Sequence, residues 1–149
     1  IGLEFVAFND EEYLGNDDAV YMGQRGHLLD SALAAINIDG VGQRLGATSI
    51  MITAASSAFA TLAADVTAHY PAVTWVDPYP QSSHSLFAFR GVPALAVSSS
   101  PFSPFYHLDT DTVEWLSAAK LVEATALVAD LVAAVQDKPL AWARPPAGE

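Results

Sequence analysis

The stretch Ala32-Leu33-Ala34-Ala35-Ile36-Asn37-Ile38-Asp39, followed by Gly40-Val41-Gly42, decides how this chain folds. Its apolar residues run almost without interruption rather than alternating with polar ones. That is the pattern of a strand covered on both faces, as in the parallel sheet of an α/β layer. The run ends in a carboxylate, and the two glycines after it allow the backbone to turn sharply. A carboxylate in that place is costly to desolvate unless it is paired, hydrogen-bonded or bound to a metal. It reads equally as a metal ligand or as a hydrogen-bond acceptor closing the strand.

Outward from this strand, strand-like and helix-like segments alternate, which predicts an α/β architecture. Towards the N-terminus, residues 9–18 form an acidic turn, followed by a short helix ending near Gly26. Residues 1–8, Ile1-Gly2-Leu3-Glu4-Phe5-Val6-Ala7-Phe8, again read as a buried strand, which needs neighbours on both sides. An opening of this kind, with no initiator Met and no leader pattern, is expected of a fragment or processed product. Towards the C-terminus, strands are predicted over 48–53, 73–76 and 93–98. Helices are predicted over 56–69, stopped by Pro71, and over 84–89. A loop over 99–111 leads into a long terminal helix with Thr110 or Asp111 as its N-cap. One domain is expected over residues 1–138, with 139–149 as a loose tail.

Composition narrows the function. A net charge of −11 with only six basic residues makes nucleic acid a poor partner, since phosphates demand a surplus of Lys and Arg. The greasiest region, residues 116–135, is interrupted by Lys120, Glu123 and Asp130, so no stretch reaches the roughly 18 to 20 apolar residues that cross a membrane. With no cysteine, disulfides and thiolate ligands are excluded, and any metal must be held by His and carboxylate.

Three clusters could carry chemistry. Asn9-Asp10-Glu11-Glu12 places adjacent carboxylates after the first predicted strand, where one can ligate a cation and the other deprotonate a water; an ordinary solvated turn has the same composition. Asp39 is the second. Tyr106-His107-Leu108-Asp109-Thr110-Asp111-Thr112 is the third: His107 is a candidate ligand, and Asp111 either orients its ring or caps the helix. His84, between two serines, is a further candidate beside the site, while His27 and His69 read as structural or exposed. The loop aromatics Tyr79, Phe102, Phe105 and Tyr106 fit an apolar side-chain pocket or simple loop packing.

In this order the motifs Phe8-Asn9-Asp10-Glu11-Glu12-Tyr13, Ile36-Asn37-Ile38-Asp39-Gly40-Val41-Gly42, Ser83-His84-Ser85-Leu86-Phe87, Gly91-Val92-Pro93-Ala94 and Tyr106-His107…Asp111-Thr112 resemble the co-catalytic dizinc aminopeptidase family. That family includes the bacterial leucyl aminopeptidase-like zinc exopeptidases and is related to glutaminyl cyclases and glutamate carboxypeptidases. The resemblance covers about residues 1–135. It implies a three-layer α/β sandwich with a mixed, mainly parallel sheet, incomplete on its N-terminal side, and a parent protein that hydrolyses N-terminal peptide bonds. By the matched positions Glu11 is the general base, Glu12 and His107 bind one zinc, Asp39 binds the other, and His84, Tyr106 and Asp111 stand around them or touch substrate.

The departures matter too. Ser83 replaces the Asp that usually precedes the histidine, and Tyr106 stands where cyclases carry Trp, which lowers an acyl-transfer reading. The family's upstream His and metal-bridging Asp would precede Ile1. The resemblance therefore implies a chain that is inactive alone, with two zinc ions only in the complete enzyme. It implies a peptide substrate, association of copies through an unpaired sheet edge, and a secreted or periplasmic bacterial setting. A non-catalytic binding module on the same scaffold is the alternative.

Overall fold

The computed structural model describes residues 2–12 and 15–146. Ile1, Tyr13 of the first motif and the end of the tail lie outside them. Five α-helices and four strands are found among the described residues: α1 (Asn16–Arg25), β1 (Ala35–Ile38), β2 (Ala47–Thr53), α2 (Ser57–Thr67), β3 (Thr74–Trp75), α3 (His84–Ala88), β4 (Ala94–Ser100), α4 (Ala118–Val135) and α5 (Leu140–Ala143). Short 3-10 turns cover Gly26–Ser31 and Val113–Trp115.

The sheet order is β1-β4-β2-β3. β1 runs parallel to β4 and β3 parallel to β2, while β2 and β4 are antiparallel. This is the mixed, mainly parallel sheet expected. Its two faces separate by strand alternation. Ile50, Leu95 and Val97 face α2 and α4 and form the main core with Phe59, Ala63, Leu127 and Leu131. Ala124, Leu127 and Leu131 recur at helical spacing, which is why α4 buries one stripe. On the other face α3 packs over β1 and β4. The result is a helix–sheet–helix sandwich in which β1 is an edge strand.

Three expectations are corrected. Residues 2–8 form no strand. They have no sheet partner among the described residues and leave Phe5 92% exposed. An apolar run becomes a buried strand only when neighbours complete its ladder, and here β1 ends the sheet. The cap of α4 is neither Thr110 nor Asp111 but Ser117, whose hydroxyl accepts from the Lys120 N–H. Gly42 sets this start, because its carbonyl accepts the Ser117 N–H at 2.8 Å. Finally, the segment after Pro139 is anchored. Ser56, the N-cap of α2, donates through its hydroxyl to the Trp142 carbonyl at 2.6 Å, and the Trp142 ring meets Phe59 edge-on. Ala143 is fully buried, and the Arg144 guanidinium donates to the Leu29 carbonyl at 2.7 Å.

Candidate functional site

The polar residues singled out by sequence gather where β1 and β4 end, on loops that the sheet holds together. The turn carrying Glu11 and Glu12 is organised from α1. Both oxygens of Asp17 accept backbone N–H groups: Oδ2 from Asn9 and Asp10, at 2.5 and 2.8 Å, and Oδ1 from Asp18 at 3.0 Å. These bonds outweigh desolvation and hold the Asp17 carboxyl below its ordinary range. Asp17 was not among the sequence candidates, although an Asp in the first turn of a helix is a recognisable signal for such a bond.

Glu12 is met from 94 residues away. The Tyr106 hydroxyl donates to its Oε1 at 2.9 Å, and the His107 Nε2 stands 2.8 Å from its Oε2. Two successive residues can serve two oxygens of one carboxylate because His107 takes a left-handed backbone conformation, φ +64°. A non-glycine residue gives up roughly 1–2 kcal/mol there. The Tyr106 and His107 rings stack at 3.9 Å, and Phe102 also stacks on Tyr106. The His107 bond lowers the Glu12 carboxyl below its usual range, assisted by Tyr106. Burial and the bond to Glu12 raise the Tyr106 phenol, so that it stays protonated and donates.

Glu11 moves the other way. Partial burial raises its carboxyl, and the negative charges of Glu12, Asp39, Asp18 and Asp17 add to the shift. A carboxyl with a raised pKa beside an ionised one is the arrangement that divides proton transfer from ligation.

Asp39 closes β1, its N–H bonded to the Val97 carbonyl at 3.1 Å. Its Oδ2 accepts from the Ser82 hydroxyl at 2.9 Å, and that hydroxyl accepts from the Asn37 amide at the same distance. Asn37 and Asp39 lie on one side of the strand because they are two residues apart. Ser82 was not foreseen; its left-handed φ of +83° marks the loop that brings it there.

His84 is buried. Its Nε2 pairs with the Tyr79 carbonyl at 2.7 Å, its Nδ1 has no partner, and burial lowers its pKa. It is thus a neutral ring that donates to the Tyr79 loop. Asp111 does not orient His107, whose imidazole faces Glu12; Asp111 is exposed, and its N–H bonds to the Leu108 carbonyl.

Carboxylate and imidazole are the right donors for zinc. The donor atoms of Glu12 and His107 approach a common point, but Asp39 stands apart with Ser82. Among the described residues no three His, Asp or Glu side chains could hold one ion. The donors fit zinc in kind and fall short in number.

No curated protein matches this chain. Among solved structures it is similar to an aminopeptidase from Aneurinibacillus sp. strain AM-1, with a TM-score of 0.64 and 21% sequence identity. The match covers 93% of this chain and 32% of that one, so the chain spans about a third of the length of its structural relative. At that identity the likeness speaks for the fold alone. The family model described as Peptidase family M28 matches residues 1–132. With the matched span reaching from the Glu11–Glu12 turn through His107 to α4, the chain belongs to peptidase family M28.

Proposed function

We propose that this chain is the C-terminal part of a zinc-dependent aminopeptidase-type exopeptidase, a dizinc enzyme that hydrolyses N-terminal peptide bonds. The observation that carries the proposal is the meeting of Glu12 with Tyr106 and His107, beside a Glu11 whose carboxyl is raised. Glu12 and His107 would hold one zinc and Asp39 the second, with further donors needed beyond the described residues. Zinc, when bound, would polarise the scissile carbonyl and acidify water. Glu11 takes the proton from the attacking water, and its raised pKa suits it to accept at one step and donate at the next. Tyr106 keeps one Glu12 oxygen committed, which fixes the carboxylate plane. His84 holds the Tyr79 loop, and Asp111 is left with a place near substrate in the loop after His107. By this reading the chain alone is inactive or nearly so.

A non-catalytic binding module on the same scaffold is favoured by one observation, that among the described residues no three ligand-type side chains meet. A glutaminyl cyclase-like acyltransferase finds no support beyond the shared donors. The unpaired edge of β1 supports binding of a peptide, or association between copies, along the sheet. No helix among the described residues is long and apolar enough to cross a membrane. A secreted or periplasmic bacterial setting remains part of the proposal and is tested by fractionating cells that express the parent protein.

Calorimetric zinc titration at neutral pH tests the site, with an Asp39→Ala, His107→Ala double variant as control. Weak or absent binding supports an incomplete site. Tight binding lost in the double variant means that other donors complete it, and a peptidase assay follows. Tight binding unchanged in the variant sinks the ligand assignment.

A further inference from the structure

The segments that carry Asp39 and His107 are fastened to each other by one buried side chain. Gly40 and Gly42 have left-handed backbones, φ +64° and +83°, so the chain turns back directly after Asp39. Gln43 thereby comes within reach of the loop that follows β4. Its side-chain Oε1 accepts the Ser103 N–H at 2.6 Å, across 60 residues, and both residues are buried. Ser103 passes the constraint on. Its carbonyl accepts the Tyr106 N–H at 3.1 Å, and its hydroxyl accepts the Phe105 N–H at 3.2 Å. The next residue is His107.

The Gln43 backbone is fixed in turn. The Lys120 ammonium donates to its carbonyl at 2.9 Å, and its own N–H meets the Ser99 hydroxyl at 3.4 Å. Beside it the Arg44 N–H bonds to the Trp115 carbonyl at 2.8 Å. A side chain positions others well when its own place is held by packing and hydrogen bonds.

The loop needs such a tie. His107 takes φ +64°, and a non-glycine residue stays in that region only where its surroundings over-determine it. Among the described residues, two side chains from outside residues 101–107 hydrogen-bond to that segment. Glu12 meets Tyr106 and His107, and Gln43 meets Ser103. Glu12 stands on a turn preceded by residues 2–8, which have no sheet partner among the described residues, so it does not tie the loop to the sheet. Gln43 follows β1 closely and does.

We propose that Gln43 is a positioning residue: through Ser103 it sets the turn that brings Tyr106 and His107 onto the two oxygens of Glu12. Without the Oε1 acceptor the buried Ser103 N–H is orphaned, and a buried unpaired donor is unfavourable. The turn then shifts to find another partner, and the two rings lose their register with Glu12. That this register serves zinc rests on the proposed dizinc function; the placement of the rings does not.

The test uses the metal-free 149-residue chain and two variants of nearly the same side-chain length. Gln43→Met removes the acceptor, and Gln43→Glu keeps one. The readout is the proton NMR signal of the His107 ring, assigned by its loss in His107→Asn. Tyr106 lies against His107 at 3.9 Å, so its ring current moves those protons upfield of the exposed-histidine position. At a fixed pH above the imidazole range, Gln43→Met should return them to that position, and Gln43→Glu should restore the upfield shift. A merely structural role would lower Tm and leave the signal in place, which overturns the proposal; so does a shift that Gln43→Glu fails to restore. Hydrogen exchange of the unaltered chain needs no variant to fold. The Ser103 amide should exchange at least about tenfold more slowly than in an unstructured peptide, and exchange at the peptide rate refutes the tie. In the full-length parent, Gln43→Met should lower kcat/KM at least about tenfold, with activity regained in Gln43→Glu. An unchanged kcat/KM in Gln43→Met also counts against the proposal. A parent with no peptidase activity before any substitution defeats the zinc reading instead, and the metal-free NMR result then decides the role of Gln43.

Discussion

Replacing Gly42 with alanine should be among the most damaging single-methyl additions in this protein. Gly42 has φ +83°, and a Cβ built there would lie 2.5 Å from Leu121 Cδ2 and 2.7 Å from Leu121 Cγ. Two costs add. A left-handed non-glycine residue gives up about 1–2 kcal/mol, and overpacking a tight contact about 1–3 kcal/mol. The lower conformational entropy of the unfolded alanine chain offsets about 0.4–1 kcal/mol of this loss. The net loss should be about 3 kcal/mol. For a chain of this size that is about 6–12 °C in Tm.

The Leu121 backbone is held in place, because the first turn of α4 is fastened to the same loop. The Lys120 ammonium donates to the Gln43 and Arg44 carbonyls at 2.9 and 3.0 Å and also to that of Gly46, and the Arg44 N–H bonds to the Trp115 carbonyl. Urea unfolding of Gly42→Ala, Leu121→Ala and the double variant measures the clash as a coupling energy, expected at about 1–3 kcal/mol in favour of the double variant. Gly91→Ala is the control, with φ +72° and nothing within 4 Å of its Cβ, so it carries only the conformational cost. Equal losses at Gly42 and Gly91, with no coupling to Leu121, would refute the reasoning.

Glu11→Gln should raise Tm at pH 7. The folded pKa of Glu11 lies above its ordinary value, so the folded state holds the proton more tightly and stability falls as pH rises through the raised pKa. The gain should disappear below the ordinary carboxyl range, and a variant that melts lower at pH 7 would contradict the electrostatic account. For His84 the sign is opposite to that of a paired histidine. Its folded pKa is depressed by burial, so stability is lost on acidification below about 6.5, and urea titrations from pH 7 to 5 should show a shallower fall for His84→Asn. Leu127→Ala, at a fully buried position, should cost about 2–5 kcal/mol by chemical denaturation. Trp142→Ala should cost about 2 kcal/mol or more, whereas a loose tail would register within about 0.5 kcal/mol.

The strands and helices with strong local patterns were legible before any coordinates. The buried strand ending at Asp39 is β1, the predicted 48–53 strand is β2, and the helix stopped by Pro71 is α2. Their signals are local, since periodicity, caps and breakers act over a few residues. Where a signal depended on a distant partner, reading failed. Residues 2–8 have a strand's composition without a strand's neighbours. Thr110 and Asp111 are good caps in isolation, but α4 starts where Gly42 fastens Ser117. The tail is rich in proline, yet Trp142 finds Phe59 and Arg144 finds the Leu29 carbonyl.

The site divides in the same way. Residue types marked the clusters that hold Glu11, Glu12, Asp39 and His107 as candidates, and the family resemblance of the ordered motifs singled these four out. Only the tertiary structure joined Glu12 to Tyr106 and His107 across 94 residues, separated Asp39 into a chain with Ser82 and Asn37, and turned His107 away from Asp111. Sequence determines which groups are available and what local shape each segment prefers. Which groups share a few ångströms depends on the packing of the whole chain, because hydrogen bonds and charge shifts are set by distances that no local pattern encodes.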